Sequence, residues 1–152
     1  MDIKEEIKEL KDKIIELETE IKNERNWKPR YNEEYWIVDL DTMATDRLRW
    51  DNDEYDKLRY GNGVIFGTEE KAREYLEYLE EKKEYMNTFT EKEWEDSTIK
   101  KWYYMYDYAI KKFFIDYQQI HRENIPYFEE KEEVEDFINK YEWQIKHELG
   151  VE

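Results

Sequence analysis

The chain offers few side chains suited to catalysis. His121 and His147 are its two histidines, the side chains that exchange protons most readily near neutral pH. Neither sits in a spacing such as H-E-x-x-H, which would place two ligands and a base on one helix face. There is no cysteine, which removes thiolate nucleophiles, disulfides and Cys-based zinc sites. No Gly-rich phosphate loop, G-x-S-x-G turn or dinucleotide fingerprint occurs, and Gly61-Asn62-Gly63 reads as a turn. Asp39 and Asp41 follow a predicted strand, and Asp107 matches Asp39. Metal or acid–base work there would need a nearby histidine or third ligand, so capping of a strand-end turn is the simpler role. The expectation is a protein that is not an enzyme, with no catalytic residue, no metal site and no cofactor.

Charge is the more informative chemistry. The 152 residues hold 41 acidic and 25 basic side chains, a formal net charge of −16. Such a chain is repelled by phosphate backbones, so direct nucleic-acid binding is not expected. The expected partner is a protein with a basic surface. The candidate partner-binding acids are Asp51, Asp53, Glu54 and Asp56, then Glu93, Glu95 and Asp96, then Glu129, Glu130, Glu132 and Glu133. They could also form a solvated face or imitate nucleic-acid phosphates. The interspersed Arg47, Arg49, Lys57, Arg59, Lys100, Lys101, Lys111 and Lys112 argue against uniform mimicry. Aromatic residues make up 17% of the chain, 14 of them Tyr. Disordered chains are poor in aromatics, and large rings can build a core from few residues. No apolar run approaches the roughly 18 residues of a membrane span. The charged, periodic N-terminus is unlike a signal peptide, and a cytoplasmic location is expected.

That periodic N-terminus is the strongest structural signal. Ile3, Ile7, Leu10, Ile14, Leu17 and Ile21 alternate spacings of four and three residues, a 3.5-residue repeat. Ile7, Ile14 and Ile21 take heptad position a, and Ile3, Leu10 and Leu17 take d. Ile at a with Leu at d favours a parallel two-stranded coiled coil. In that alignment Glu6 faces Lys11′, Lys13 faces Glu18′ and Glu20 faces Arg25′, all attractive. The antiparallel alternative sets Glu6 against Glu20′ and Lys13 against Lys13′. Residues 1–26 are therefore expected to dimerise the chain. At about three heptads the coil is short, so modest affinity is expected.

The remainder shows weak internal self-similarity. Trp27, Tyr35 to Asp39, Asn62, Phe66 and a helical run from Glu69 are echoed by Trp94, Tyr103 to Asp107, Asn124, Phe128 and a helical run from Glu130. Ala72, Tyr75, Leu76 and Leu79 match Val134, Phe137, Ile138 and Tyr141. Each unit reads as two strands, a short third strand and a helix, giving units over 27–89 and 90–152. Residues 35–40 and 46–50 have strand character. Their second-unit counterparts are 103–107 and 112–116. Asp51 to Glu54 reads as a loop. Thr68 is a predicted N-cap, Thr90 and Glu93 a predicted capping box, and Gly150 a helix stop. The expected fold class is α+β: an N-terminal parallel coiled-coil helix followed by two repeated β-β-(β)-α units.

Tyr35-Trp36-Ile37-Val38-Asp39, the Asn62 to Phe66 turn and Thr68-Glu69-Glu70-Lys71-Ala72 together resemble small acidic accessory proteins of phages and prophages of Gram-positive bacteria. In those, an aromatic strand ending in Asp is followed by F-x-T-E-E-x-A opening a helix, sometimes twice. The resemblance covers about residues 27–142. The second unit departs from it, with Glu130 in place of Thr and Val134 in place of Ala. The resemblance implies a non-catalytic, anti-CRISPR-like inhibitor or interaction protein that binds a bacterial protein in the host cell, a defence nuclease such as a CRISPR effector being one target. The alternatives are a structural or assembly accessory protein of a phage, an acidic nucleic-acid mimic and, least favoured, a small hydrolase.

Overall fold

A computed structural model describes residues 2–151. Among them, five helices and two small antiparallel sheets make an α+β fold. The chain forms two compact units, residues 1–76 with 150–152, and residues 77–149. The division falls inside a helix, between Leu76 and Glu77.

The first unit opens with α1 (Ile3–Lys22), whose N-cap Asp2 accepts the Glu5 amide at 2.9 Å. An acidic cap at the positive end of the helix dipole suits this geometry. β1 (Glu34–Asp39) and β2 (Ala44–Arg49) form a hairpin with Tyr35 opposite Leu48 and Trp36 opposite Arg47. β3 (Ile65–Phe66) pairs on the other side of β1, giving the order β2-β1-β3. Tyr35, Trp50 and Ile65 make the buried cluster, with Trp27, Ile37 and Leu48 packed against it. The Tyr35 and Trp50 rings meet edge-on at 6.0 Å.

The hairpin turn explains Asp39. Its Oδ1 accepts the amides of Asp41 at 2.9 Å and Thr42 at 3.3 Å, and Met43 closes the loop at φ 53°. This is a side-chain-stabilised turn.

α2 (Glu54–Gly61) occupies part of the region that reads as loop and turn. Asp53 caps it by accepting the Asp56 amide at 2.8 Å, and Gly63 follows it at φ 70°. Tyr55 and Leu58 are exposed and the helix buries Asp56, so it has no apolar period to detect. α3 (Glu69–Tyr85) begins after Thr68, whose Oγ1 accepts the Lys71 amide at 3.3 Å and donates to Asn23 Oδ1 at 2.8 Å. Ala72 and Tyr75 are buried, and the Tyr75 ring lies 5.2 Å from Phe66.

The second unit contains the rest of α3, then α4 (Glu91–Glu95). The Thr90–Glu93 capping box is formed in both directions, at 3.1 and 3.2 Å. β4 (Lys101–Asp107) and β5 (Lys112–Gln118) make a two-stranded hairpin. Its turn has the same design as the first: Asp107 Oδ1 accepts the Ala109 and Ile110 amides at 2.9 and 3.3 Å, and Lys111 sits at φ 56°. A single bridge joins Trp102 to Phe128. α5 (Lys131–Leu149) follows, with a departure from helical geometry at Tyr141 and Gly150 at φ 78° beyond its end. Phe137 centres an aromatic cluster, with Tyr78, Tyr85, Tyr104, Phe128 and Tyr141 rings 5.1–6.0 Å away. Tyrosines carry much of this core: Tyr78, Tyr127 and Tyr141 are buried, whereas Leu79 and Met86 are half-buried.

Candidate interaction surfaces

The six seam residues lie along α1, and no described residue of that helix is buried. Exposure runs from 44% at Leu17 to 73% at Ile3. An apolar stripe of this kind normally finds a partner. Glu6, Lys11, Lys13, Glu18 and Glu20 are on the same helix. Arg25 is not: α1 ends at Lys22 with Asn23 as its C-cap. The helix therefore carries two of the three predicted charge pairs, Glu6–Lys11′ and Lys13–Glu18′. The third would need a helical Arg25.

The end of α1 is seated firmly. A Cβ built on Gly67 would lie 2.4 Å from both the Cβ and the carbonyl oxygen of Lys22. Only a residue without a side chain allows this approach. With the Thr68–Asn23 hydrogen bond, it clamps the helix end to the β3–α3 junction.

The candidate acids separate into distinct roles. Asp56 is not a surface group; it is 2% exposed. Its Oδ1 accepts the Tyr35 hydroxyl, and its Oδ2 accepts the Asp51 amide at 2.7 Å. Arg59 Nη1 lies 3.5 Å from Asp56 and donates to the Tyr35 oxygen at 3.2 Å. Burial pushes the Asp56 carboxyl up, but the Tyr35 and backbone hydrogen bonds and the Arg59 charge outweigh it and hold it below its ordinary range. Burial, and then the bond to Asp56, push the Tyr35 hydroxyl up to about 12. In this Tyr–Asp–Arg cluster Tyr35 and Asp56 are buried while Arg59 is half-buried, and it ties α2 to β1. Asp53 is a helix cap, and Glu93 and Glu133 accept backbone amides from Thr90 and Glu130. Asp96 accepts from Thr98. Asp51, Glu54, Glu95, Glu129, Glu130 and Glu132 remain as exposed acids.

Lys101 is also not a surface charge. It is fully buried, with Nζ donating to the Asp96 carbonyl at 2.6 Å and to Gln119 Oε1 at 3.1 Å, above the Trp94 ring. Sequence reasoning missed it, because a lysine beside Lys100 looks like one more solvated charge. His121 stacks flat on the same Trp94, with centroids 4.7 Å apart, and His147 lies edge-on to Trp143. Both imidazoles sit against aromatic rings, and no group of three or more potential metal ligands gathers among the described residues. Nor is any helix there long and apolar enough to cross a membrane.

The remaining unusual surface is on the second hairpin. Met105, Tyr108, Ile110 and Phe114 are 44–59% exposed, and Met105, Tyr108 and Phe114 line an open cleft with Ala109. No protein-family model, curated protein or solved structure matches this chain.

Proposed function

We propose that the protein is a homodimeric, non-catalytic interaction protein, paired through a parallel coiled coil of α1. The observation that carries this reading is the apolar seam from Ile3 to Ile21, exposed along its whole length. An isolated helix of this length is marginal in water, and a second copy supplies the missing half of its core. The Gly67–Lys22 contact supports a coil that continues rigidly into the first unit.

Within each chain, we read the two hairpin-plus-helix units as copies of one module. The matched Asp39 and Asp107 turns, with Met43 and Lys111 at the same left-handed position, support that reading. So does the use of Phe66 and Phe128 against the first strand of each hairpin. The partner we favour is a bacterial protein with a basic surface, a defence nuclease being the case suggested by the phage-protein resemblance. Glu129, Glu130 and Glu132, exposed at the start of α5, are the best-placed acids for it. A dimer would present each module twice, which raises avidity for a multivalent target.

Two measurements test this. Sedimentation equilibrium should show a dimer for the full chain and a folded monomer for Leu10→Asp, which alters a position exposed in the protomer. If the Leu10→Asp chain stays as dimeric as the parent, the coil is not the dimeriser. Expression in cells defended by a CRISPR or restriction nuclease should raise the plating of a targeted phage, and reversing the three glutamates should abolish the rise. No rise against any such nuclease would remove the inhibitor reading and leave the dimer intact.

A further inference from the structure

The two hairpins differ in what they offer at their open edges. The phase of the second is set at Trp102. Its N–H donates to the Phe128 carbonyl at 3.0 Å, and its carbonyl accepts the Phe128 N–H at 2.8 Å. Both groups point away from β5. Backbone direction alternates along a strand, so those of Tyr104 and Tyr106 point the same way. These three residues sit opposite Tyr117, Ile115 and Phe113. The pairs are thus the non-hydrogen-bonded ones, and the N–H and C=O groups of Phe113, Ile115 and Tyr117 project from the outer edge of β5. Among the described residues β5 has β4 as its one ladder neighbour.

The first hairpin has the same phase, because Trp36 pairs with Phe66 and the Val38 amide donates to the Val64 carbonyl. Its outer edge is β2, and that edge is blunted. Asp46 Oδ1 accepts the outward Arg47 amide at 2.8 Å, the Arg47 guanidinium lies 5.9 Å over Trp36, and Arg47 and Arg49 pair with Glu34. Charged, occupied edges of this kind resist pairing with other chains. On β5, Asp116 repeats the device at the Tyr117 amide. Among the described residues, no side chain does so for Phe113 or Ile115. Beside them lie Phe114 and Met105, directly opposite each other and 44% and 50% exposed. At the turn end are Lys111 and Lys112, both exposed and in no ion pair among the described residues, in a chain with 41 acids.

We infer that β5 is a docking edge for an extended acidic segment of a partner protein. The segment adds as a strand along Phe113–Tyr117, lays an apolar side chain against Phe114, which Met105 backs from β4, and sets carboxylates against Lys111 and Lys112. Strand addition of this type draws affinity from main-chain hydrogen bonds and specificity from alternate side chains. The site goes beyond the coiled-coil dimer and does not depend on it.

The test uses the immobilised full chain to select from a displayed library of random seven-residue segments. Enriched segments should carry an acidic residue two positions from an apolar one, the spacing that puts both on the face shared by Lys112 and Phe114. A synthetic peptide of the enriched sequence should slow amide exchange at Phe113 and Ile115 by about tenfold or more. Its affinity should fall about tenfold in Lys111→Glu/Lys112→Glu. It should be lost in Ile115→Pro, which removes an amide outside the β4–β5 ladder. If circular dichroism shows that Ile115→Pro does not fold, Phe114→Asp, at an exposed position, serves as the reading. Selected segments no more acidic than the input library, or protection centred on other residues, would overturn the proposal. So would concentration-dependent protection of Phe113 and Ile115 in Leu10→Asp without peptide, which would give the edge to a second copy. A monomeric wild-type chain would sink the coil and leave this edge standing.

Discussion

Gly67 lies so close to Lys22 that no side chain fits between them: a Cβ there would meet the Lys22 carbonyl oxygen at 2.4 Å. The obstacle is backbone, which cannot rotate out of the way. Gly67→Ala should therefore destabilise the protein by about 1–3 kcal/mol through overpacking. Urea unfolding at one fixed protein concentration measures this, since a dimer's midpoint depends on concentration. An unchanged midpoint would mean that α1 is not clamped to the β3–α3 junction.

Phe137 should be the costliest single truncation in the second unit. It is 3% exposed and its ring touches five other aromatic rings. Phe137→Ala removes a large buried side chain whose rigid neighbours cannot collapse into the gap. The expected loss is about 3–5 kcal/mol. Phe114→Ala, at an exposed position, should cost about 0.5 kcal/mol or less. Comparable losses at the two sites would contradict the placement of the core.

How legible each feature was depends on what kind of signal it leaves. The seam of α1 is readable because six apolar residues keep one strict period, and the caps at Thr68, Thr90 and Gly150 are readable because each is a local hydrogen-bond or dihedral requirement. The strand patterns lie close to the observed strands, with β2 starting at Ala44, β4 at Lys101 and β5 running on to Gln118, and a single bridge at Phe128 stands where the second unit reads as a short third strand. α2 left no such trace, since its buried side chain is a carboxylate. Asp56 sits within an acidic run, and the partner that buries it, Tyr35, is 21 residues away. Lys101 is hidden for the same reason, its partners being a carbonyl and an amide. The open edge of β5 depends on which strand fails to pair beside it, a fact of topology that no residue pattern encodes.

The Asp56 cluster should shape the acid side of the stability curve. Its carboxyl is held below the ordinary value near 3.8, so the native state binds fewer protons there than the unfolded chain. The stability this contributes is fully present above about pH 4 and is lost as pH falls through the depressed native value. Asp56→Asn leaves Arg59 without its buried counter-charge and should cost about 2–4 kcal/mol near neutral pH. The gap between wild type and variant should narrow below pH 4. Because the other carboxylates are common to both proteins, their repulsion cancels in the difference. A gap that is constant with pH would show that the Asp56 carboxyl is not held below its unfolded value, and a gap that narrows as pH rises through 4 would show that it is protonated in the native state.

The alkaline side should be governed by buried phenols. Tyr141 is raised to about 12 by burial and then by its bond to Glu81, and Tyr35 to about 12 by burial and then by Asp56. Tyr78 and Tyr104 are raised as well, burial again leading. A native tyrosine that holds its proton longer than the unfolded one contributes stability that is complete below about pH 10. That contribution drains away as pH climbs toward the native value. Unfolding free energy should therefore fall between pH 10 and 12, while phenolate absorbance and far-ultraviolet circular dichroism change together as the core opens. Tyr141→Phe removes one of these ionisations. Its stability should be lower than wild type at neutral pH, through the lost Glu81 bond, yet decline less steeply above pH 10. A decline parallel to wild type would mean that Tyr141 ionises without unfolding, and that its hydroxyl is not held against Glu81 in the closed core.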